Sequence, residues 1–201
     1  MKRTLKRLAR DIRAEIALPT PARRQRSLDR RGPPASDPGI GPTVEAATQW
    51  LCRAQDRSAS ADGGVARDYS LIKGWATSYP ETTGYIVPTL LDLARELDDD
   101  SLRTRARRML DWLVSIQFPA GGFQGGKADA PRPLPVTFNT GQILLGLAPG
   151  SSEFGEPYRA SMHRAARWLA DTQTLAMDGG ANVAFLVGAF VAPAVRSFYQ
   201  P

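Results

Sequence analysis

Apolar residues recur every three or four positions through most of the chain after residue 43, which is the spacing of one face of an α-helix. The clearest stripe runs from Leu102 to Leu113, and Ser101 in front of it is a suitable N-cap. No segment alternates apolar and polar residues as a half-buried strand would. The pattern therefore predicts an all-α fold with helices over residues 44–55, 82–97, 102–117, 139–148, 156–174 and 182–197.

Three of these helices carry the same motif, W-L-x-x-x-Q, beginning at Trp50, Trp112 and Trp168. A pair of glycines follows each copy, and the pairs are Gly63-Gly64, Gly121-Gly122 and Gly179-Gly180. Self-similarity at a spacing of about 60 residues is typical of proteins in which each unit stacks on the next to bury its apolar face.

A second similarity links the segments that follow the first two glycine pairs. Thr83-Gly84 matches Thr140-Gly141, and a leucine-rich helix follows in both cases. Each unit is therefore expected to be a helix ending in Gln, a glycine-containing loop, and a second helix that opens with Thr-Gly. The sequence predicts αα-hairpin repeats over residues 43–201.

The region before the repeats differs in pattern and charge. Residues 1–18 have the spacing of a basic amphipathic helix, and residues 19–42 are rich in Pro and Gly and are expected to form a linker. The first 31 residues contain eleven Lys or Arg and three Asp or Glu, so the high pI belongs to this tail. We expect a solvated or packed arm, with weak peripheral membrane contact as the alternative, and no specific nucleic-acid binding.

A helix ending in W-L-x-x-x-Q before D-G-G-V or A-G-G-F resembles the Gln-rich repeat of the terpenoid cyclases and protein prenyltransferases, over residues 44–180. Their α/α-toroid architecture is shared with the six-hairpin glycosidases. The resemblance implies that the second helix of each unit lines a central cavity and that loops at its N-terminal end carry the active site. Complete toroids have five or six hairpins, so we expect this chain to form part of one, as a fragment or a frameshifted product.

The motifs that carry chemistry in the resembled enzymes are missing. Triterpene cyclases use D-x-D-D, whereas the acidic run Asp98–Asp100 lies in a short loop and is expected to be a solvated helix end. Cys52 and His163 lie in predicted outer helices and are rejected as zinc ligands. We predict no metal and no cofactor. The third unit also departs from the pattern, because an almost wholly apolar segment follows Gly180.

Candidate site residues cluster around the two Thr-Gly pairs, where helix N-termini present free backbone N–H groups. Glu81 is a candidate general acid or base and Tyr79 a candidate for proton transfer. The alternatives are that Glu81 is only a first-turn helix acid and that Asn139 is an N-cap. The remaining candidates for contacting a substrate are Trp75, Thr83, Tyr85, Phe123, Gln124, Asn139 and Gln142, with Asp68 and Asp129 as weak choices for a second carboxylate.

Aromatic rings beside carboxylate and amide groups suit sugars, which need apolar faces to stack on and partners for hydroxyls. We therefore expect a cavity that binds or acts on a poly- or oligosaccharide. The alternatives are an isoprenoid-binding or cyclase-like enzyme and a non-catalytic helical-repeat scaffold or fragment. No apolar run is long enough to span a membrane and the charged N-terminus lacks the apolar segment of a secretory signal, so a cytoplasmic location is the default. The sequence leaves the oligomeric state open.

Overall fold

A computed structural model describes residues 10, 12–33 and 36–179, with the backbone alone for 173–179. The fold is mostly helical, as the periodicity predicts. Residues 12–17 are helical, and six longer helices and two short strands follow: α1 (Thr20–Arg30), α2 (Ile40–Asp56), β1 (Tyr69–Ser70), β2 (Gly74–Trp75), α3 (Pro80–Leu97), α4 (Asp100–Ser115), α5 (Thr137–Phe154) and α6 (Tyr158–Gly179). The predicted helix 182–197 and residues 1–9 and 11 of the predicted N-terminal helix lie outside the described residues.

The segment 19–42 is not wholly a linker, because it contains α1 and the start of α2. Pro19 occupies the N-cap of α1 and Pro21 lies in its first turn, where the missing N–H costs nothing. The residues that follow are mainly good helix formers with no further proline before Pro33. Proline content alone therefore misled the prediction here.

Two other helices begin or end at residues that differ from the sequence prediction. α5 was expected to end at residue 148, before Pro149, but it continues to Phe154. Gly150 and Ser151 are buried on this last part, and a Cβ on Gly150 would lie 2.5 Å from Leu110 Cδ1. Packing against α4 therefore outweighs the hydrogen bond that the proline removes. At α4 the N-cap is Asp99, not Ser101, since the Asp99 carboxylate accepts from the Ser101 N–H at 2.9 Å.

The core lies between α3, α4, α5 and α6. α3 packs on both α4 and α5, and α5 packs on α6. The closest approach is between α3 and α5, where a Cβ on Gly84 would lie 2.5 Å from Ile143 Cα and one on Gly146 would lie 2.2 Å from the Gly84 carbonyl oxygen. Only glycine fits at both positions, so these two residues fix the separation of the helices whose first turns carry the candidate site.

Each of the first two glycine pairs forms a corner that packs on the tryptophan of the following motif. We call Gly63-Gly64 the first glycine corner and Gly121-Gly122 the second. A Cβ on Gly64 would lie 2.5 Å from the Trp112 ring, and one on Gly122 would lie 2.8 Å from the Trp168 ring. Trp112 and Trp168 therefore need glycine opposite them.

The motif glutamines tie each corner to the next outer helix. Gln55 Nε2 donates to the carbonyl oxygens of Gly63 (2.9 Å) and Arg105 (3.1 Å). Gln117 Nε2 donates to those of Gly121 (2.9 Å) and Ser161 (3.0 Å). Each glutamine side chain thus donates one hydrogen bond to its own corner and one to the following outer helix.

The third motif differs from the first two. α6 continues as helix through Gly179, past Gln173, whereas α2 and α4 end at Asp56 and Ser115, close to their glutamines. The segment between Gln173 and Gly179 contains no proline, whereas Pro119 follows Gln117 at the second corner. The expected helix end at 174 is thus corrected.

No helix within the described residues combines the length and apolar character needed to cross a bilayer.

Candidate functional site

An extended hairpin that the sequence did not reveal leads into the first turn of α3. Its two arms are joined by backbone hydrogen bonds from Arg67 N to Thr77 O (3.1 Å), from Ala76 N to Asp68 O (2.9 Å) and from Tyr79 N to Val65 O (3.0 Å). Strands β1 and β2 form its outer end, with Tyr69 opposite Trp75. Period-two alternation is weak here, so the expectation that no strand occurs is corrected for this short element.

The first turns of α3 and α5 bring Glu81 and Asn139 into contact. Asn139 Nδ2 donates to Glu81 Oε2 at 3.2 Å, and the two residues lie 58 positions apart in the sequence. Asn139 is buried and Glu81 is half-buried. Asn139 is not the N-cap of α5, because that position is Val136. Glu81 does lie in the first turn of α3, so it fulfils the helix-acid alternative as well as bonding Asn139.

Two tyrosines lie near this pair. Tyr85 is exposed and follows Glu81 by one turn of α3, and Tyr79 is the N-cap residue of the same helix. Partial burial, and then the negative charge of Glu81, raise the pKa of Tyr85 above its usual value. Tyr85 therefore remains a neutral hydrogen-bond donor at neutral pH. Gln142, half-buried and one turn after Asn139, completes the group on α5.

Two contacts at this end of α3 were missed or underrated from the sequence. The Arg67 guanidinium lies over the Tyr79 ring, 5.4 Å from its centroid. Asp129, one of the two weak carboxylate candidates, accepts from Thr77 Oγ1 at 2.9 Å. Hairpin pairing places Arg67 beside Thr77, and no local sequence signal indicates that pairing. The other weak candidate, Asp68, is exposed, and its Oδ2 lies 4.0 Å from Arg67 Nε.

Three predicted substrate-binding residues belong to the interior instead. Thr83 is fully buried, and its hydroxyl accepts from Val65 N (2.9 Å) and donates to Tyr79 O (2.8 Å). Phe123 is fully buried in the core. Gln124 is buried and donates to Lys127 O at 2.7 Å. Their polar or aromatic character serves packing and loop closure, so we remove them from the candidate site.

Trp75 lies in a different aromatic group. Its ring centroid is 4.9 Å from that of Trp50 and 4.9 Å from that of Tyr69. These contacts place it on the hairpin end, among rings that the sequence prediction did not associate with it. The candidate site therefore consists of Tyr79, Glu81, Tyr85, Asn139 and Gln142, with Arg67 and Asp129 beside it.

A surface cavity of ≈ 410 Å³ lies elsewhere, beside the first glycine corner. Asp62, Arg108, Asp111 and Ser115 contribute to its lining. Asp62 accepts from Ser78 Oγ at 2.6 Å, and the Ser78 hydroxyl also contacts Ser58 at 2.7 Å. The other lining side chains have partners elsewhere in the fold, since Asp111 accepts from the Tyr158 hydroxyl and the Ser115 hydroxyl donates to Trp112 O.

The described residues contain no group of three or more His, Cys, Asp or Glu placed to hold a metal ion. His163 is exposed. Cys52 is half-buried, and this burial raises the pKa of its thiol, which keeps it protonated at neutral pH. Comparisons of the chain with protein-family models, curated proteins and solved structures yield no match.

Proposed function

We propose that the helices of this chain are αα-hairpin repeats of an α/α toroid, and that the first turns of α3 and α5 bind a poly- or oligosaccharide. Support for the repeats comes from the equivalent hydrogen bonds of Gln55 and Gln117. Thr83 and Thr140 add a second equivalence, since each accepts from the backbone N–H after a glycine corner, both at 2.9 Å.

The contact between Glu81 and Asn139 carries the binding proposal. A carboxylate and a carboxamide that meet across two helices offer several acceptors and one further N–H donor within one small area. Sugar hydroxyls act as donors and acceptors at once, so this pair can bond adjacent hydroxyls of one ring. Tyr85 supplies an exposed aromatic face beside them.

Glu81 and Tyr79 are the residues we propose for any proton transfer. Glu81 is half-buried at a helix N-terminus and has a second oxygen, Oε1, beyond the one that Asn139 contacts. Hydrolysis of a glycosidic bond normally requires a second carboxylate. Asp129, which Thr77 orients, is the candidate that we assign to that role.

Isothermal titration calorimetry of the full-length protein with neutral and uronate-containing oligosaccharides measures the binding affinity and tests the proposal. Glu81→Gln keeps the side-chain size but removes the charge, and we expect it to weaken binding by about tenfold or more. Glu153→Gln is the matched control, because Glu153 is also half-buried but pairs with Arg103 at the other end of α5.

Three results would contradict the saccharide proposal. They are binding of isoprenoid diphosphates but of no sugar, equal affinity of the Glu81 and Glu153 variants, and no binding of either ligand class. The first result supports the isoprenoid alternative, and the last supports a scaffold role.

A further inference from the structure

The outer end of the hairpin carries an exposed apolar surface. Trp50, Tyr69 and Trp75 form one continuous ring cluster, with centroid separations of 4.9 to 6.1 Å. The turn between β1 and β2 adds Leu71 and Ile72, and Ile72 is 62% exposed. We call these five residues the hairpin patch.

The rings are packed against one another and do not enclose a space. Centroids 4.9 Å apart leave no gap for a ligand between two rings. Trp50 is 47% exposed and Tyr69 is also exposed, although both rings are packed on one side. Exposed rings with no space between them suit an extended partner surface better than a small ligand.

Two cations lie beside the patch. Lys73 is exposed in the same turn, and the Arg53 guanidinium lies 5.8 Å from the Trp50 ring centroid. Asp68 is the single acid between residues 65 and 79, and its Oδ2 lies 4.0 Å from Arg67 Nε. Cations that flank exposed aliphatic and aromatic side chains are the composition that favours the interface of an anionic bilayer.

We propose that the hairpin patch docks on an anionic lipid surface, with Leu71 and Ile72 entering the headgroup region. The tryptophan and tyrosine rings then lie at the interface, where an apolar body and a polar tip are both accommodated. Lys73 and Arg53 contact lipid phosphates. A nucleic acid fits less well, because it offers nothing apolar to the aliphatic tip. The proposal is independent of the saccharide site.

Co-sedimentation of the full-length protein with phospholipid vesicles tests it. We expect binding to vesicles that contain phosphatidylglycerol and weaker binding to phosphatidylcholine alone. Replacing both Leu71→Asp and Ile72→Asp should lower the partition coefficient by about tenfold or more, since the aliphatic groups no longer enter the lipid. Leu134→Asp is the matched control, because Leu134 is an aliphatic residue 68% exposed in another loop, and it should bind as the wild type does.

Quenching by lipids with brominated acyl chains separates the patch from the basic N-terminal tail. We expect Trp50 to be quenched, so that Trp50→Phe removes a large part of the quenching while the buried Trp112 contributes little. The proposal is overturned if the Leu71 and Ile72 variant sediments like the wild type, which would assign binding to the tail. It is also overturned if that variant changes only self-association in size-exclusion chromatography, which would assign the patch to a second copy.

Discussion

The two glycine corners make the same contacts from loops of different length and composition. Gly63 follows Gln55 by eight positions, whereas Gly121 follows Gln117 by four. In the first corner, serine hydroxyls fill the additional loop, and Ser58 Oγ contacts Ser78 Oγ at 2.7 Å. In the second, a short turn closes directly from Gly121 N to Phe118 O at 2.8 Å. The glutamine, the glycines and the following tryptophan are thus the fixed parts of the corner, and the loop is adaptable.

Trp50 shows what the same motif does without a glycine corner opposite it among the described residues. Trp112 is 6% exposed against the first corner, whereas Trp50 is 47% exposed and contacts Tyr69 and Trp75. The motif therefore specifies the helix and its glutamine, and burial of the tryptophan depends on the corner it meets.

The largest expected effect is the difference in stability between alanine substitutions of Trp112 and Trp50. Trp112→Ala should lower the free energy of unfolding by about 3–5 kcal/mol, because it opens a cavity between α4 and the first corner. Trp50→Ala should cost about 1 kcal/mol, since half of that ring is already in water. Urea unfolding followed by circular dichroism measures both. Equal losses would mean that the corner does not determine the burial energy.

The second-largest expected effect is a difference in stability between alanine substitutions at the two glycine corners. Gly63 and Gly121 both have positive φ, 99° and 108°, but a Cβ would lie 3.2 Å from the Arg108 carbonyl oxygen at the first and 2.3 Å from that of Arg164 at the second. Gly121→Ala should therefore cost about 3 kcal/mol, through overpacking against backbone and a strained φ. Gly63→Ala should cost about 1–2 kcal/mol, from strain with little overpacking. Thermal melting of the two variants compares them, and a larger loss at Gly63 would contradict the packing difference.

Sequence reasoning succeeded where a contact repeats and failed where it occurs once. The motif Gln and the Thr-Gly pair are local and recur, so their alignment alone predicts equivalent positions in the two units. Glu81 and Asn139 were both selected, but their contact depends on the approach of α3 to α5 through Gly84. No spacing in the chain encodes that distance.

The failures have specific physical causes. Phe123 and Thr83 carry side chains that suit a binding site, but they are buried beneath the loops that the corners form. The helix α1 and the end of α5 contradict a rule that proline ends a helix, because first-turn placement and tertiary packing remove most of the cost. The hairpin over residues 65–79 depends on backbone pairing that leaves little trace in hydrophobic pattern.

Replacing either motif glutamine should lower the free energy of unfolding by an intermediate amount. Gln55→Leu removes two donated hydrogen bonds at a residue that is 2% exposed, so the Gly63 carbonyl loses this partner in a dry environment and the Arg105 carbonyl keeps only its bond within α4. We expect a loss of about 2 kcal/mol. Gln117→Leu should cost less, about 1 kcal/mol, because Gln117 is half-buried and water can replace the amide. Hydrogen exchange at the two corners measures the local change, and a larger effect at Gln117 would contradict this order.

The smallest effect concerns acid sensitivity, which only the first corner should show. Arg105 Nη1 and Nη2 each donate to an Asp56 carboxylate oxygen at 2.7 Å, and this bond lowers the pKa of Asp56. Phe118 follows Gln117 in the second corner, so no carboxylate occupies the position of Asp56 there.

Because the folded-state pKa of Asp56 is below its unfolded value, the pair stabilises the protein fully above the unfolded pKa and is lost as the pH falls through the folded pKa. Asp56 is 43% exposed, so the contribution should stay below about 1 kcal/mol. The free energy of unfolding of Asp56→Asn, measured from neutral to acidic pH, should therefore converge with that of the wild type at the acidic end. A constant difference across the range would mean that the Asp56 side chain acts through packing and not through its charge.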